Sequence, residues 1–204
     1  MTAPKYSMAF TTGALFHHES AKLAKLYVSM QHWDTVRSAV VADNLIQART
    51  TNTLKRVTSE ITSRLKTLSE PEIKFLTEAE YGEQGDILWL AICRRYTFIG
   101  DFAVDVVHSN FTSFKNTVTY ADYDSFFNKK AEWHSELDRI TPATKSNTRQ
   151  KLFKMMQEAK VLDKHKAIIP MVPGATFRKI LAGLQQREIM FFPVSEKAWG
   201  HHER

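Results

Sequence analysis

From Thr50 to Leu68 the apolar positions Leu54, Val57, Ile61, Leu65 and Leu68 recur with the spacing of one helix face, which predicts a long amphipathic helix. The same period puts Arg56, Glu60 and Arg64 one turn apart, on the side predicted to face solvent. Upstream, Leu23, Leu26, Tyr27, Met30 and Trp33 predict a helix, and Val36, Val40 and Val41 a shorter one that Asp34 can cap. Neither glycine nor proline occurs from Ala14 through Glu70, or from Asp101 through Thr141, so helices have room to run in both tracts.

Glu70 and Pro71 close the first tract, and a short helix is expected around Ile73 to Ala79. The densest apolar stretches, Ile87 to Ile92 and Phe98 to Val107, predict the most buried helices. Asp122 stands as a cap before Tyr123, Phe126, Phe127, Ala131 and Trp133. Thr141 with Pro142 suits the start of a helix that packs Leu152, Met155, Met156, Ala159 and Leu162. After Lys166 the texture turns short and proline-broken. Ile168 to Pro173 reads as an edge strand, Thr176 to Gln186 as a helix, and Ile189 to Phe192 as a second strand able to pair with the first. The expected fold is mainly α: a multi-helix protein with helix–turn–helix and winged-helix-like units and at most a small β-ribbon near the C-terminus. The expected subdomains span residues 1–70, 71–121 and 122–204, with a single compact unit as the alternative.

Composition narrows the function. Hydrophobic residues are 43% of the 204 and charged residues 25%, the balance of a folded globular chain. A single cysteine, Cys93, excludes an internal disulfide framework and a zinc finger, and its apolar setting predicts a buried, inert thiol. The longest run without a formal charge, Tyr6 to His18, falls short of the roughly 20 apolar residues of a spanning helix. A soluble, cytoplasmic protein with no membrane contact is therefore expected. No glycine-rich phosphate loop is present. The adjacent pairs His17–His18 and His201–His202 point to different faces, so no metal is expected. Asp101 and Asp105 share a helix face, and a solvated or salt-bridged pair near Arg94 and Arg95 is favoured over an acid–base pair. No catalysis, cofactor or small-molecule substrate is expected.

Charge points to a polyanion. The 28 Lys and Arg exceed the 22 Asp and Glu, and the pI is near 9.4. The excess is segregated: residues 69–90 are acidic, whereas residues 145–166 carry Lys145, Arg149, Lys151, Lys154, Lys160, Lys164 and Lys166 against Glu158 and Asp163. Two candidate units for double-stranded DNA result. In the first, a short helix, a link from Asn44 to Arg49 and a polar-started helix present Arg49, Thr50, Asn52, Thr53, Lys55, Arg56 and Arg64, with Lys66 beyond them. In the second, the helix after Pro142 presents Lys145, Thr148, Arg149, Lys151 and Lys154. Two other readings stand beside DNA binding. One is a protein–protein adaptor using the acidic 69–90 face and exposed Phe191, Phe192 and Trp199; the other is an RNA-binding helical protein of the antitermination kind.

The order and spacing of Thr12–Gly13–Ala14–Leu15–Phe16 with Glu19, Asn44–Leu45–Ile46–Gln47 before Arg49 and Thr50, Arg94–Arg95–Tyr96 leading to Asp101 and Phe102, and the late Thr144, Thr148, Leu152 and Ala159 resemble the BrxA family of BREX bacteriophage-exclusion systems. The resemblance implies a mainly helical cytoplasmic protein of antiviral defence, with DNA binding as its activity and other BREX proteins as partners. It brings no catalytic motif to any position of this chain, and Asn44 and Gln47 are expected as turn and capping groups.

Overall fold

The computed structural model describes residues 5–195. Helices dominate, and no named strand occurs among the described residues. The chain divides into two compact units: Leu15–Arg95, and the residues up to Ala14 joined with those from Tyr96 onward.

The Leu15–Arg95 unit contains α1 (His17–Met30), α2 (Trp33–Ala42), α3 (Thr51–Leu65), α4 (Glu70–Glu78) and α5 (Tyr81–Arg95). α1 packs against each of the other four. α5 buries every residue from Ile87 through Cys93, because the run is apolar all round and so belongs inside. The predicted stripe of α3 is buried in full, and α3 packs on α2 and α5. Each such aliphatic side chain contributes about 1.5–3 kcal/mol by leaving water. Thr50 caps α3, its hydroxyl accepting from the Thr53 amide at 3.2 Å. Asp34 does not cap α2: His32 holds that position, and Asp34 lies in the first turn. Ser69 and Glu72 form a capping box on α4, with Pro71 in the first turn. Glu72 also takes a two-pronged contact from Arg94, at 2.7 and 3.0 Å.

The other unit contains α6 (Thr97–Phe102), a π-helical stretch from Ala103 to His108, α7 (Ser109–Thr112), α8 (Tyr120–Ala131), α9 (Pro142–Glu158), α10 (Ala175–Gly183) and α11 (Gln186–Ile189). Its core is aromatic. The fully buried Phe98 ring lies 5.2–6.3 Å from the rings of Tyr6, Phe10, Tyr123, Phe126 and Phe127. The amino-terminal segment is tied in at Tyr6, whose hydroxyl donates to Asp101 at 2.5 Å and whose amide donates to Glu136 at 2.7 Å. Lys130 bridges Asp101 and Asp105 at 3.3 and 3.0 Å, and Arg187 also bonds Asp101. The two aspartates are salt-bridged as expected, but their partners are Lys130 and Arg187; Arg94 pairs instead with Glu72.

The C-terminal ribbon does not form. Ile189 ends α11 and Phe191 and Phe192 continue in turns; the Met171 amide donates at 2.8 Å to the Pro193 carbonyl, one residue beyond the expected second strand. Residues 113–118 and 161–168 make isolated antiparallel bridges instead, Thr117 to Ala167 and Leu162 to Ile168. A capping box at Gln185 and Glu188 starts a short helix whose last residue, Ile189, is the first of the expected strand, and the residues after it turn instead of extending. Thr141 caps α9, with Pro142 in its first turn. α8 is capped by Thr119 and not by Asp122, which closes the box from the third helical position.

Two stability predictions follow from these contacts. Glu72→Ala removes the carboxylate that pairs with Arg94 in a mostly buried site, together with the α4 cap, so urea unfolding should show a loss of about 3 kcal/mol. Burial pushes the Asp122 carboxyl up, but hydrogen bonds from Lys115 and Thr119 and the Lys115 charge outweigh it and hold the group below the usual carboxylate range. A depressed native pKa stabilises the fold above the unfolded value and stops doing so as pH falls through the native one. Asp122→Asn should therefore cost about 1 kcal/mol at pH 7, and the gap to the unsubstituted protein should close below about pH 4 in thermal melts.

Candidate nucleic-acid interface

At the start of α3 the apolar stripe turns Asn52, Lys55 and Arg56 outward together, and Arg49 stands exposed just ahead of them. Arg49, Lys55 and Arg56 make no ion pair with any described residue, so their full charge is offered to solvent. Thr50 and Thr53 are committed to the cap, their hydroxyls 3.0 Å apart. The approach from α2 is rigidly built. Asn44 and Gln47 both adopt left-handed backbone, and the Asn44 side chain grips Ala48, accepting from its amide at 2.9 Å and donating to its carbonyl at 3.0 Å. The Lys22 ammonium donates to the Leu45 carbonyl at 2.8 Å.

Arg64 does not belong to this surface. It is 3% exposed, its Nε donates to Glu60 at 2.7 Å, and its guanidinium lies 5.6 Å from the Phe16 ring centroid. The position is three residues after Ile61 and four before Leu68, inside the buried stripe, and the i,i+4 carboxylate with the ring makes the burial tolerable.

The α9 set lies in the other compact unit, and much of its charge is used internally. Lys145 sits 3.7 Å from Asp124, donates to Asn128 at 2.8 Å and lies 4.5 Å above the Phe127 ring. Arg149 bonds Asp124 at 2.5 Å and covers the Tyr120 ring at 4.7 Å. Lys151 runs its aliphatic stem along Gly13, where a Cβ would come within 2.6 Å of it. Lys154 is exposed and reaches Glu158 at 3.6 Å. Thr148 is buried and cannot touch a ligand: its hydroxyl meets the Tyr123 hydroxyl at 3.0 Å and donates to the Thr144 and Lys145 carbonyls.

Lys166, which the sequence names only within the basic 145–166 tract, has its ammonium 4.0 Å from the centroid of Tyr120, the ring that Arg149 also covers. Lys160 and Lys164 are exposed nearby in sequence; the basic balance of residues 145–166 was the available signal. The exposed aromatics differ from those expected, since Phe191 and Phe192 are buried while Trp133 and Phe114 are 81% and 89% exposed. Trp199, His201 and His202 lie outside the described residues.

Neither a metal nor a membrane reading gains support among the described residues. No group of three or more His, Cys, Asp or Glu could hold an ion there, and no helix is long and apolar enough to cross a membrane. His17 is buried and stacks on Tyr81 at 4.2 Å. Burial pushes the Cys93 thiol well up, away from the reactive thiolate.

A family model described as BrxA matches residues 4–184. A protein of Escherichia coli O9:H4 (strain HS) named "BREX protein BrxA" is 26% identical over 151 residues, 74% of this chain and 71% of that one. A protein of the same name from Paramagnetospirillum magneticum strain AMB-1 is 25% identical over 152 residues, 74% of each chain. The crystal structure of an uncharacterized protein from Magnetospirillum magneticum has the same fold, with a TM-score of 0.78 at 16% identity over 93% of this chain and 98% of that one.

Thr148→Val removes the partner of the Tyr123 hydroxyl, whose pKa burial pushes up to about 12 against the lowering effect of that same hydrogen bond. Denaturant unfolding should show a loss of about 1–2 kcal/mol.

Proposed function

As this chain belongs to the BrxA family, we propose that it is a component of a BREX antiphage-defence system that binds double-stranded DNA and catalyses no reaction on it. The family supports the defence role through relatives named as BREX proteins. One observation carries the DNA reading: Arg49, Lys55 and Arg56 are exposed at the start of α3, and no described carboxylate neutralises them. Uncompensated cations attract phosphates because contact releases condensed counterions, while cations already held by carboxylates gain little from the exchange.

In this reading α3 carries the principal contact. Arg49, Lys55 and Arg56 neutralise backbone phosphates, and Asn52 is placed to reach a base edge. Thr50 and Thr53 hold the helix end in shape. In the other unit Lys151, Lys160 and Lys164 form a separate candidate for backbone contact, whereas Lys154 is paired with Glu158 and Lys145 and Arg149 tie α8 to α9 through Asp124. Other BREX proteins are the expected protein partners, and no cofactor is required.

Binding to a labelled duplex about three helical turns long, followed by fluorescence anisotropy across a salt series, tests the proposal. With six or so phosphates contacted, the log–log slope of affinity on salt should be near −5. Arg49→Glu with Arg56→Glu should weaken binding more than tenfold and flatten the slope by about 2, with an unchanged melting temperature. Single-stranded RNA that displaces the duplex would favour the RNA-binding alternative. No duplex binding at low salt would leave the adaptor reading, to which the exposed Trp133 and Phe114 then become relevant.

A further inference from the structure

Between α2 and α3 lies a groove of about 540 Å³, lined by Asp34, Arg37, Ser38 and Val41 from the first helix and by Lys55 and Thr58 from the second. Its chemistry is unusual at one point. Thr58 is only 1% exposed, and its hydroxyl has no hydrogen-bond partner among the described residues. A buried hydroxyl left unpaired is uncommon in folded proteins and points to a polar group that arrives from outside. The groove walls suit an anion. Lys55 makes no ion pair with a described residue. Arg37 reaches Asp34 only at 3.8 Å, with both side chains well exposed, a pairing that leaves most guanidinium donors open.

We propose that this groove is a phosphate subsite. Arg37 and Lys55 neutralise one phosphate of the DNA backbone, and the Thr58 hydroxyl donates to one of its oxygens. The inference rests on the duplex-binding reading and adds to it an anchor on α2, outside the helix face that carries Asn52 and Arg56. Two cations and a hydroxyl match the lone pairs of a phosphate better than they match a neutral ligand. Asp34 is the opposing charge. It holds Arg37 in the free protein by a weak, solvated contact and releases it when the phosphate arrives, so it competes with the ligand.

Duplex binding and melting temperature, measured together on four variants, test the subsite. Thr58→Val keeps the shape and removes the hydroxyl. It should weaken duplex binding about tenfold while leaving the melting temperature the same or higher, because no internal hydrogen bond is lost. Thr58→Ser should restore binding. Arg37→Gln should reduce the salt slope by about 1, and Asp34→Asn should tighten binding. If the unsubstituted protein binds duplex but Thr58→Val and Arg37→Gln bind with its affinity and slope, the subsite is overturned and the α3 contact stands. If Thr58→Val fails to fold, the Arg37→Gln slope decides alone. If the unsubstituted protein binds no duplex, the DNA reading falls. Inorganic phosphate is then titrated against the amide resonances of Arg37, Lys55 and Thr58: saturating shifts that Arg37→Gln abolishes retain an anion subsite, and their absence overturns it.

Discussion

A helix that buries one stripe must expose the other, and in the Leu15–Arg95 unit that constraint on α3 governs what the molecule can offer a partner. With Leu54, Val57, Ile61, Leu65 and Leu68 packed inward, the rotation of the helix is set. Asn52, Lys55 and Arg56 follow outward without any further interaction to hold them, and Arg64 is carried inward with Ile61 and Leu68. Its burial is paid for locally, by Glu60 one turn earlier and by the Phe16 ring. Loosening the stripe would therefore change two things at once, the presentation of the outer cations and the solvation of the inner one.

The second theme is the allocation of charge. A net excess of +6 says little about binding until each cation is matched to its nearest carboxylate. Asp124 takes up both Lys145 and Arg149, and Asp101 takes up Lys130 and Arg187 together with the Tyr6 hydroxyl. These are ties between elements distant in sequence, joining α8 to α9 and the amino-terminal segment to α6. Glu72 does the same for Arg94 across α4 and α5. Among the described residues the cations left without an ion pair include Arg49, Lys55 and Arg56 at the start of α3 and Lys160 and Lys164 after α9, together with scattered exposed positions such as Lys25, Lys66, Lys129, Arg139 and Lys179.

Much of the architecture was legible along the chain because helices announce themselves locally. The stripe of α3, the cap at Thr50, the Thr141–Pro142 start of α9 and the buried run of α5 all depend on neighbours within a few residues. The misread places are those where local signals compete. Ile189 to Phe192 has strand composition, but the capping box just before it closes a helical turn, and the turns that follow leave no extended segment to pair. Thr148 looked like a polar position on a basic helix, yet only the arrival of Tyr123 from α8 reveals it as an interior hydroxyl.

By itself, the sequence determined the helical class, the polar start of α3 and the positions of the basic tracts, since periodicity, capping and charge are properties of short windows. Only the tertiary structure decided which cations are free, because neutralisation depends on carboxylates such as Asp124 and Asp101, brought from other elements by packing. It likewise decided that Thr58 lies unpaired in a groove shared with Arg37 and Lys55. A groove between two helices belongs to neither of them, and no spacing within one helix encodes what the other places across it.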